Sequence, residues 1–294
     1  MSAPSRDKRL PPWFRIGMST NRRFFQVRNR VREGNLHTVC EGAACPNRNE
    51  CWNAGTATFL VLGDRCTRTC GFCNIAGGTT RPVDPHEPQR VADAVKALDL
   101  DHAVVTSVTR DDLPDGGAGI FAESISAIRL CSPDCRVEVL VPDFQGSLAS
   151  LAAVLNAGPD ILNHNIETVP SLYSRVRPGA DYERSLLLLR RAKDRGAATK
   201  TGLMLGLGEG TDEVRTVLRD LRSAGCDILT LGQYLRPSLN NLPVVRYYRP
   251  EEFESLRNEA LGLGFRKVSA GPLVRSSYHA ARYGSEHVTG ERDL

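Results

Sequence analysis

Ala57-Thr-Phe-Leu-Val-Leu-Gly-Asp-Arg-Cys-Thr-Arg-Thr-Cys-Gly-Phe-Cys73 joins an apolar run to three closely spaced thiols. Residues 57–63 have the length and content of a buried strand, and Gly63 punctuates its end. The loop that follows carries Cys66, Cys70 and Cys73. Soft thiolates select zinc, Cu(I) or iron–sulfur clusters. Structural zinc sites and electron-transfer clusters normally fill four ligand positions, and only three thiols stand here. The spacing leaves two readings open. Three ligands on a cubane cluster leave one iron free for a small molecule, whereas a zinc knuckle would be completed by a distant ligand.

A second triplet lies upstream in Cys40-Glu-Gly-Ala-Ala-Cys45-Pro-Asn-Arg-Asn-Glu-Cys51, again without a fourth cysteine nearby. Pro46 and Asn47 mark this segment as loop. A second cluster accounts for it most economically; a zinc site shared with the first triplet is the alternative.

Composition narrows the class. The chain has 294 residues, 41% hydrophobic and 24% charged, as in an ordinary globular protein. This length suits one large α/β barrel or two small domains. No apolar run approaches the roughly 20 residues of a membrane span, and no secretory leader is expected at the N-terminus. Nine cysteines, an odd number grouped in motifs, point to metal binding rather than a disulfide framework. A reducing cytoplasm is the expected location. Residues 1–32 hold nine Lys or Arg against Asp7 alone, a net +8 where the whole chain is +4. Such an arm suits an acidic protein or nucleic acid, or is simply a solvated face. A nucleic acid is not an expected partner, because about 220 residues of barrel pattern would then have no role, and the lack of a spanning apolar run argues against a membrane.

The Cys66–Cys73 spacing, with Phe72 before the last thiol, resembles the radical S-adenosylmethionine (SAM) superfamily. The two triplets together resemble the lipoyl synthase family. So do Thr106-Ser-Val-Thr-Arg-Asp-Asp-Leu-Pro-Asp-Gly-Gly117, Val141-Pro-Asp-Phe-Gln-Gly146 and Asn163-His-Asn-Ile-Glu-Thr-Val169. Arg175-Val-Arg-Pro-Gly-Ala-Asp-Tyr182, Leu231-Gly-Gln-Tyr-Leu-Arg-Pro-Ser238 and Ser269-Ala-Gly-Pro-Leu-Val-Arg-Ser-Ser-Tyr278 continue the resemblance, which runs from about Pro11 to Tyr283. It implies two [4Fe-4S] clusters. Cys66, Cys70 and Cys73 would hold the one that binds SAM. Cys40, Cys45 and Cys51 would hold an auxiliary one, with Ser277 as its fourth ligand.

The pattern of the chain supports a barrel independently. Apolar, β-branched runs at 57–63, 102–107, 136–141, 160–165, 199–205, 227–232 and 265–270 alternate with helical periodicity. Val214, Val217, Leu218 and Leu221 form one apolar stripe, as do Val91, Ala94, Val95 and Leu98. Repeated βα units give a parallel sheet, either TIM-like or doubly wound. The resemblance implies a partial (β/α)6 barrel at 57–272, with an N-terminal extension at 1–56 and a C-terminal one at 273–294. In barrels the chemistry gathers at the C-terminal strand ends. There the sequence places Thr106, Ser107, Asp143, Asn163, Asn165, Glu167 and Gln233. Phe72, Thr106, Asn165, Glu167 and Arg177 are the candidate SAM contacts, Glu167 for the ribose and Arg177 for the carboxylate. Asp115-Gly-Gly117 and Gly206-Leu-Gly-Glu-Gly210 fit no nucleotide loop and read as turns and caps. Cys131, Cys135 and Cys226 read as semi-buried thiols, and His164 as a hydrogen-bonded site residue. His279 is adjacent in sequence to the Arg-Ser-Ser-Tyr element.

The resemblance also implies the reaction. An electron from the reduced cluster breaks the sulfonium bond of SAM, and the resulting 5′-deoxyadenosyl radical removes hydrogen from a protein-bound octanoyl chain. Sulfur from the auxiliary cluster is then inserted at C6 and C8, with Cys66, Cys70, Cys73 and Ser277 taking part. Partners of this kind are octanoylated lipoyl-carrier domains, namely acyltransferase subunits of 2-oxoacid dehydrogenases and the glycine-cleavage H protein. A ferredoxin- or flavodoxin-type electron donor and a cluster-repair protein complete the set. Other radical SAM enzymes with auxiliary clusters, and a non-enzymatic metal-binding protein, remain rival classes.

Overall fold

The computed structural model describes residues 10–17, 19–278 and 280. Among the described residues there are ten strands: β1 (His37–Thr38), β2 (Thr58–Val61), β3 (Arg65–Cys66), β4 (Ala76–Gly77), β5 (His102–Ser107), β6 (Arg136–Leu140), β7 (Ile161–Asn163), β8 (Thr199–Leu205), β9 (Ile228–Gln233) and β10 (Lys267–Gly271). The main sheet runs β1-β2-β5-β6-β7-β8-β9-β10, and β3 and β4 form a separate pair. Every junction from β2 to β10 is parallel, and only β1 is antiparallel. β1 and β10 end the order without pairing to each other, so among the described residues the barrel is open. The six strands β2 and β5 to β9 make the expected (β/α)6 arrangement, and β10 adds a seventh parallel strand.

The strands are apolar on both faces because helices cover the outside. The helix Thr211–Ser223 turns Val214, Val217, Leu218 and Leu221 fully inward, and Glu87–Ala97 buries Val91, Ala94 and Val95. The glycine-rich stretches serve as turns. Gly117 is left-handed (φ 86°) and receives the Asp115 carboxylate on its N–H at the start of helix Ala118–Cys131.

The basic segment begins a helix at Arg22–Glu33, capped by the Asn21 side chain on the Phe24 N–H. Its apolar face buries Phe24, Val27 and Val31, and Phe24 packs on Trp52 at 5.2 Å. The upstream triplet is only partly the expected loop: Pro46 and Asn47 lie in a turn, with a short helix on each side. Cys40 lies on the short helix Val39–Gly42 and Cys51 on Arg48–Asn53, with Cys45 in the turn between. Packing of Trp52 outweighs the local turn signals.

After β10 the chain returns across the barrel mouth. The Asn47 side chain donates to the Leu273 carbonyl (2.7 Å), and the Tyr278 hydroxyl donates to Glu50 (2.7 Å). This arm lies close against β9, for a Cβ on Gly232 would stand 2.0 Å from the Val274 carbonyl oxygen. His279 lies outside the described residues.

Candidate active site

The loop between β3 and β4 carries Cys66, Cys70 and Cys73 over the strand ends. Backbone hydrogen bonds fix it on two sides: Thr67 N–H to Thr109 O (3.0 Å), and Gly71 N–H to Val176 O (2.9 Å). The long segment after β9 closes over it, with Leu242 N–H on Gly71 O (2.9 Å) and the Asn241 amide on Cys73 O (2.8 Å). Arg68 is the anchor. Its guanidinium donates to both oxygens of Asp111 (2.7 and 2.8 Å) and both of Asp143 (2.7 and 3.1 Å). Arg184 adds a bond to Asp143 at 2.9 Å. Burial pushes the Asp143 carboxyl up, but Arg68 overrides it and holds the group at about 2. Bidentate guanidinium–carboxylate pairs are the geometrically specific ones, so Arg68 sets the position of the loop between Cys66 and Cys70.

The sulfurs already receive N–H groups. Arg68 and Thr109 N–H point at Cys66 Sγ (3.4 and 3.3 Å), and Ile75 N–H at Cys73 Sγ (3.4 Å). Such bonds tune cluster thiolates. Burial, then the charges of Cys70 and Cys66, push the Cys73 thiol up to about 12 despite the Ile75 N–H; burial also raises Cys70, opposed by Arg177. These thiols are neutral until a metal displaces their protons.

The upstream triplet is a second such set. Burial and the Cys40 and Cys45 charges lift Cys51 to about 12. Burial lifts Cys40 to about 11, opposed by the neighbouring Thr58 backbone, while the Trp52 indole nitrogen is buried without a hydrogen-bond partner. Thr58 also donates through its hydroxyl to Ser277 Oγ at 2.9 Å. This bond ties Ser277 to the strand that follows the upstream triplet, although 219 positions separate Thr58 from Ser277. Among the described residues no three His, Cys, Asp or Glu side chains converge on one metal-ion position. Three thiols in each set are the soft donors that [4Fe-4S] clusters take, so the donor sets fit such clusters.

Inside the barrel, Glu138 (β6) is fully buried and binds Lys200 Nζ (β8) through both oxygens, at 3.0 and 3.1 Å. Burial alone would raise the Glu138 pKa; Lys200 and His102 hold it below the usual range. Asn163 donates to Glu138 (2.9 Å) and to Ser276 Oγ (2.8 Å). Ser276 donates to Asn165 Oδ1 (2.8 Å), and Asn165 donates to Glu167 (3.0 Å).

The structure brings Asn165, Glu167 and Arg177 together beside Cys70. Glu167 sits in left-handed backbone (φ 64°), an unusual conformation for this residue type. Arg177 is held by the Asn165 and Ile166 carbonyls (2.9 and 3.2 Å) and the Tyr173 hydroxyl (3.0 Å), leaving Nε buried without a partner. Phe72 packs against Val176, Leu207 and Tyr234. Thr106 stands apart, its hydroxyl committed to the Leu140 carbonyl at 2.8 Å. Gln233 is likewise spent on the fold, between Arg246 O and Tyr248 N–H. His164 is buried, donating through Nδ1 to Val141 O (2.8 Å), and burial lowers its pKa to about 4. Cys135 and Cys226 are buried, and Cys131 half-buried. A cavity of about 440 Å³ opens between the loops after β5 and β6, lined by residues including Thr109, Asp111 and Gln145 but by no cysteine.

The radical SAM superfamily profile matches residues 60–221, and the profile of the N-terminal domain of lipoyl synthase of that family matches residues 2–45. A lipoyl synthase of Koribacter versatilis is 56% identical over 279 residues, covering 94% of this chain and 92% of its relative. The chain belongs to the lipoyl synthase family. A lipoyl synthase of Thiobacillus denitrificans, 51% identical, covers 98% of this chain and 93% of its own. Among solved structures, a methylornithine synthase superposes with TM-score 0.54 at 15% identity, covering 84% of this chain and 81% of its own. The FeFe-hydrogenase maturase HydG of Carboxydothermus hydrogenoformans gives 0.55 at 16% identity, covering 88% and 77%. These two likenesses show the fold alone. As a lipoyl synthase the chain is a radical SAM enzyme that uses SAM and [4Fe-4S] clusters to insert two sulfur atoms into protein-bound octanoyl-lysine, and it acts on lipoyl-domain substrates in general. No helix among the described residues is long and apolar enough to cross a membrane.

Sequence reading missed Arg68, Thr58 and Ser276 as organising residues. Arg68 and Asp111 both lie inside quoted motifs, but the contact between them follows only from the barrel.

Proposed function

We propose that Cys66, Cys70 and Cys73 hold the SAM cluster, and that Cys40, Cys45, Cys51 and Ser277 hold the auxiliary cluster that is the sulfur source. The observation that carries this reading is the tie between the arm and the upstream triplet's segment: Thr58 donates through its hydroxyl to Ser277, Asn47 to the Leu273 carbonyl and Tyr278 to Glu50. When bound, the two clusters supply the electron that cleaves SAM and the sulfur that is inserted. Such C–H bonds are too weakly acidic for any side-chain base, so the protein's task is to bind, orient and exclude.

Each group then has a role. Asn165 and Glu167 receive the ribose of SAM, the Arg177 guanidinium faces the methionine carboxylate, and Phe72 packs beneath. Thr106 acts on SAM only by keeping β5 and β6 in register. Serine oxygen is a harder ligand than thiolate and suits an iron–sulfur cluster less well, so Ser277 would be the readily released ligand of the sulfur-donating cluster. The working division is an N-terminal extension at 1–56, a barrel at 57–272 and a C-terminal extension at 273–294. The substrates are the octanoylated acyltransferase subunits of 2-oxoacid dehydrogenases and the glycine-cleavage H protein. A ferredoxin or flavodoxin supplies electrons, a separate protein rebuilds the auxiliary cluster, and the cytoplasm is the location. The exposed Arg22 and half-buried Arg28 on the helix Arg22–Glu33 offer acidic carriers a docking face.

Cysteine and serine variants test the assignment. Cys66→Ala with Cys70→Ala and Cys73→Ala should remove about half the iron and abolish SAM cleavage while leaving a second cluster. Ser277→Ala should keep SAM cleavage and lose sulfur insertion. Native product formation by Ser277→Ala would contradict the ligand assignment.

A further inference from the structure

The Arg-Ser-Ser element holds two serines with different surroundings. Ser277 meets Thr58 at the auxiliary side. Ser276 points the other way, into the barrel mouth, where its oxygen accepts from Asn163 and its proton goes to Asn165. Asn165 in turn donates to the Glu167 carboxylate, the group assigned to the SAM ribose. At its other end the chain of bonds is rooted in the buried Glu138–Lys200 pair through Asn163. The Asn163 amide is fixed because its Nδ2 is shared between Glu138 and Ser276. The direction of the Ser276 proton is therefore determined, and with it the orientation of the Asn165 amide.

We infer that Ser276 is a positioning residue that couples the two half-sites, holding Asn165 and Glu167 in the SAM-binding orientation while registering the arm that presents Ser277. Proper seating of the arm thus improves the SAM pocket, and SAM in that pocket steadies the arm. Two sites that share a rigid connection of this kind are coupled reciprocally. The coupling has a use: cleavage of SAM is tied to an auxiliary cluster in place to deliver sulfur. This inference rests on the site assignment above.

The test compares full-length enzyme with Ser276→Ala and Ser276→Thr, all anaerobic and cluster-loaded. Three quantities are read: iron per chain, the dissociation constant of SAM, and the ratio of 5′-deoxyadenosine formed to sulfur inserted. Loss of two neutral hydrogen bonds should weaken SAM binding by about tenfold in Ser276→Ala. The ratio of 5′-deoxyadenosine to sulfur should rise severalfold, with iron per chain unchanged, and Ser276→Thr should restore both readings by returning the hydroxyl. A merely structural role would lower all activity together and leave the ratio alone. Unchanged SAM affinity with an unchanged ratio overturns the proposal, as does loss of auxiliary iron with SAM affinity intact. Should Ser276→Ala not fold, Ser276→Cys, of similar size but a weak hydrogen bonder, is held to the same two readings. Cys66→Ala run alongside separates the two levels of argument. If it still binds and cleaves SAM, the site assignment fails; if it is dead while Ser276→Ala is indifferent, only the coupling fails.

Discussion

Lys200→Met removes the lysine ammonium from Glu138 in the barrel interior. Lys200 and Glu138 are both fully buried, and their atoms meet at 3.0 and 3.1 Å. Methionine matches the length of the lysine stem, so the change is mainly one of charge. The stranded carboxylate escapes by taking up a proton. From an ordinary value of 4.5, protonation at pH 7 costs about 3.4 kcal/mol at about 1.4 kcal/mol per pH unit. That agrees with the roughly 3–5 kcal/mol found for breaking buried pairs, and it is a large part of a total stability of about 5–15 kcal/mol. The sign follows from linkage: the variant carboxyl has a raised folded pKa, so the deficit grows as pH rises above 4.5 and shrinks as pH falls. At pH 5.5 it should be about 1.4 kcal/mol. Guanidinium unfolding of wild type and variant in matched cluster states, at both pH values, reads the difference. Adding Glu138→Gln should recover most of the loss. A Lys200→Met penalty below about 1 kcal/mol at pH 7, or one independent of pH, would refute the reasoning.

Other outcomes follow from the same geometry. Arg68→Lys keeps the charge but loses the fork that spans Asp111 and Asp143, so iron at the downstream triplet should fall in an iron and acid-labile sulfide assay while the upstream cluster persists. Gly232→Ala places a Cβ 2.0 Å from the Val274 carbonyl, so the arm must lift; limited proteolysis should then cut near residues 272–278, which stay protected in the wild type. His164 is neutral in the fold with a pKa lowered to about 4, chiefly by burial, against 6.5 when free. Its contribution is present above pH 6.5 and lost as pH falls toward 4, by about 3 kcal/mol, and His164→Asn should flatten that part of the stability–pH curve.

Much of the barrel is visible in the chain because its signals are local. The runs at 102–107 and 199–205 became β5 and β8 with the same bounds, since β-branched residues covered on both faces have no competing structure. The stripe Val214, Val217, Leu218, Leu221 likewise suffices to orient its helix. The cysteine triplets are legible because thiolate spacing is itself chemistry. What the sequence hides is long-range. Pro46 and Asn47 signal a loop, yet the contact of Trp52 with Phe24 makes short helices around them. Thr106 reads as a site residue from its place at a strand end, while its hydroxyl belongs to the neighbouring strand. Ser276 and Ser277 are adjacent and chemically identical, and only the path of the arm sends one toward Asn165 and the other toward Thr58.

The central claim is that the upstream triplet with Ser277 delivers the sulfur that the SAM side prepares the substrate to accept. Anaerobic turnover of an octanoyl-lysyl peptide with SAM and a strong reductant, read by mass spectrometry, tests it most directly when the protein carries a heavy sulfur isotope in its clusters. The account predicts 5′-deoxyadenosine together with a dithiol product bearing the heavy isotope at both positions, and no product from an enzyme lacking Cys40, Cys45 and Cys51. Formation of 5′-deoxyadenosine with no sulfur gained, or product carrying only light sulfur from solution, would contradict it.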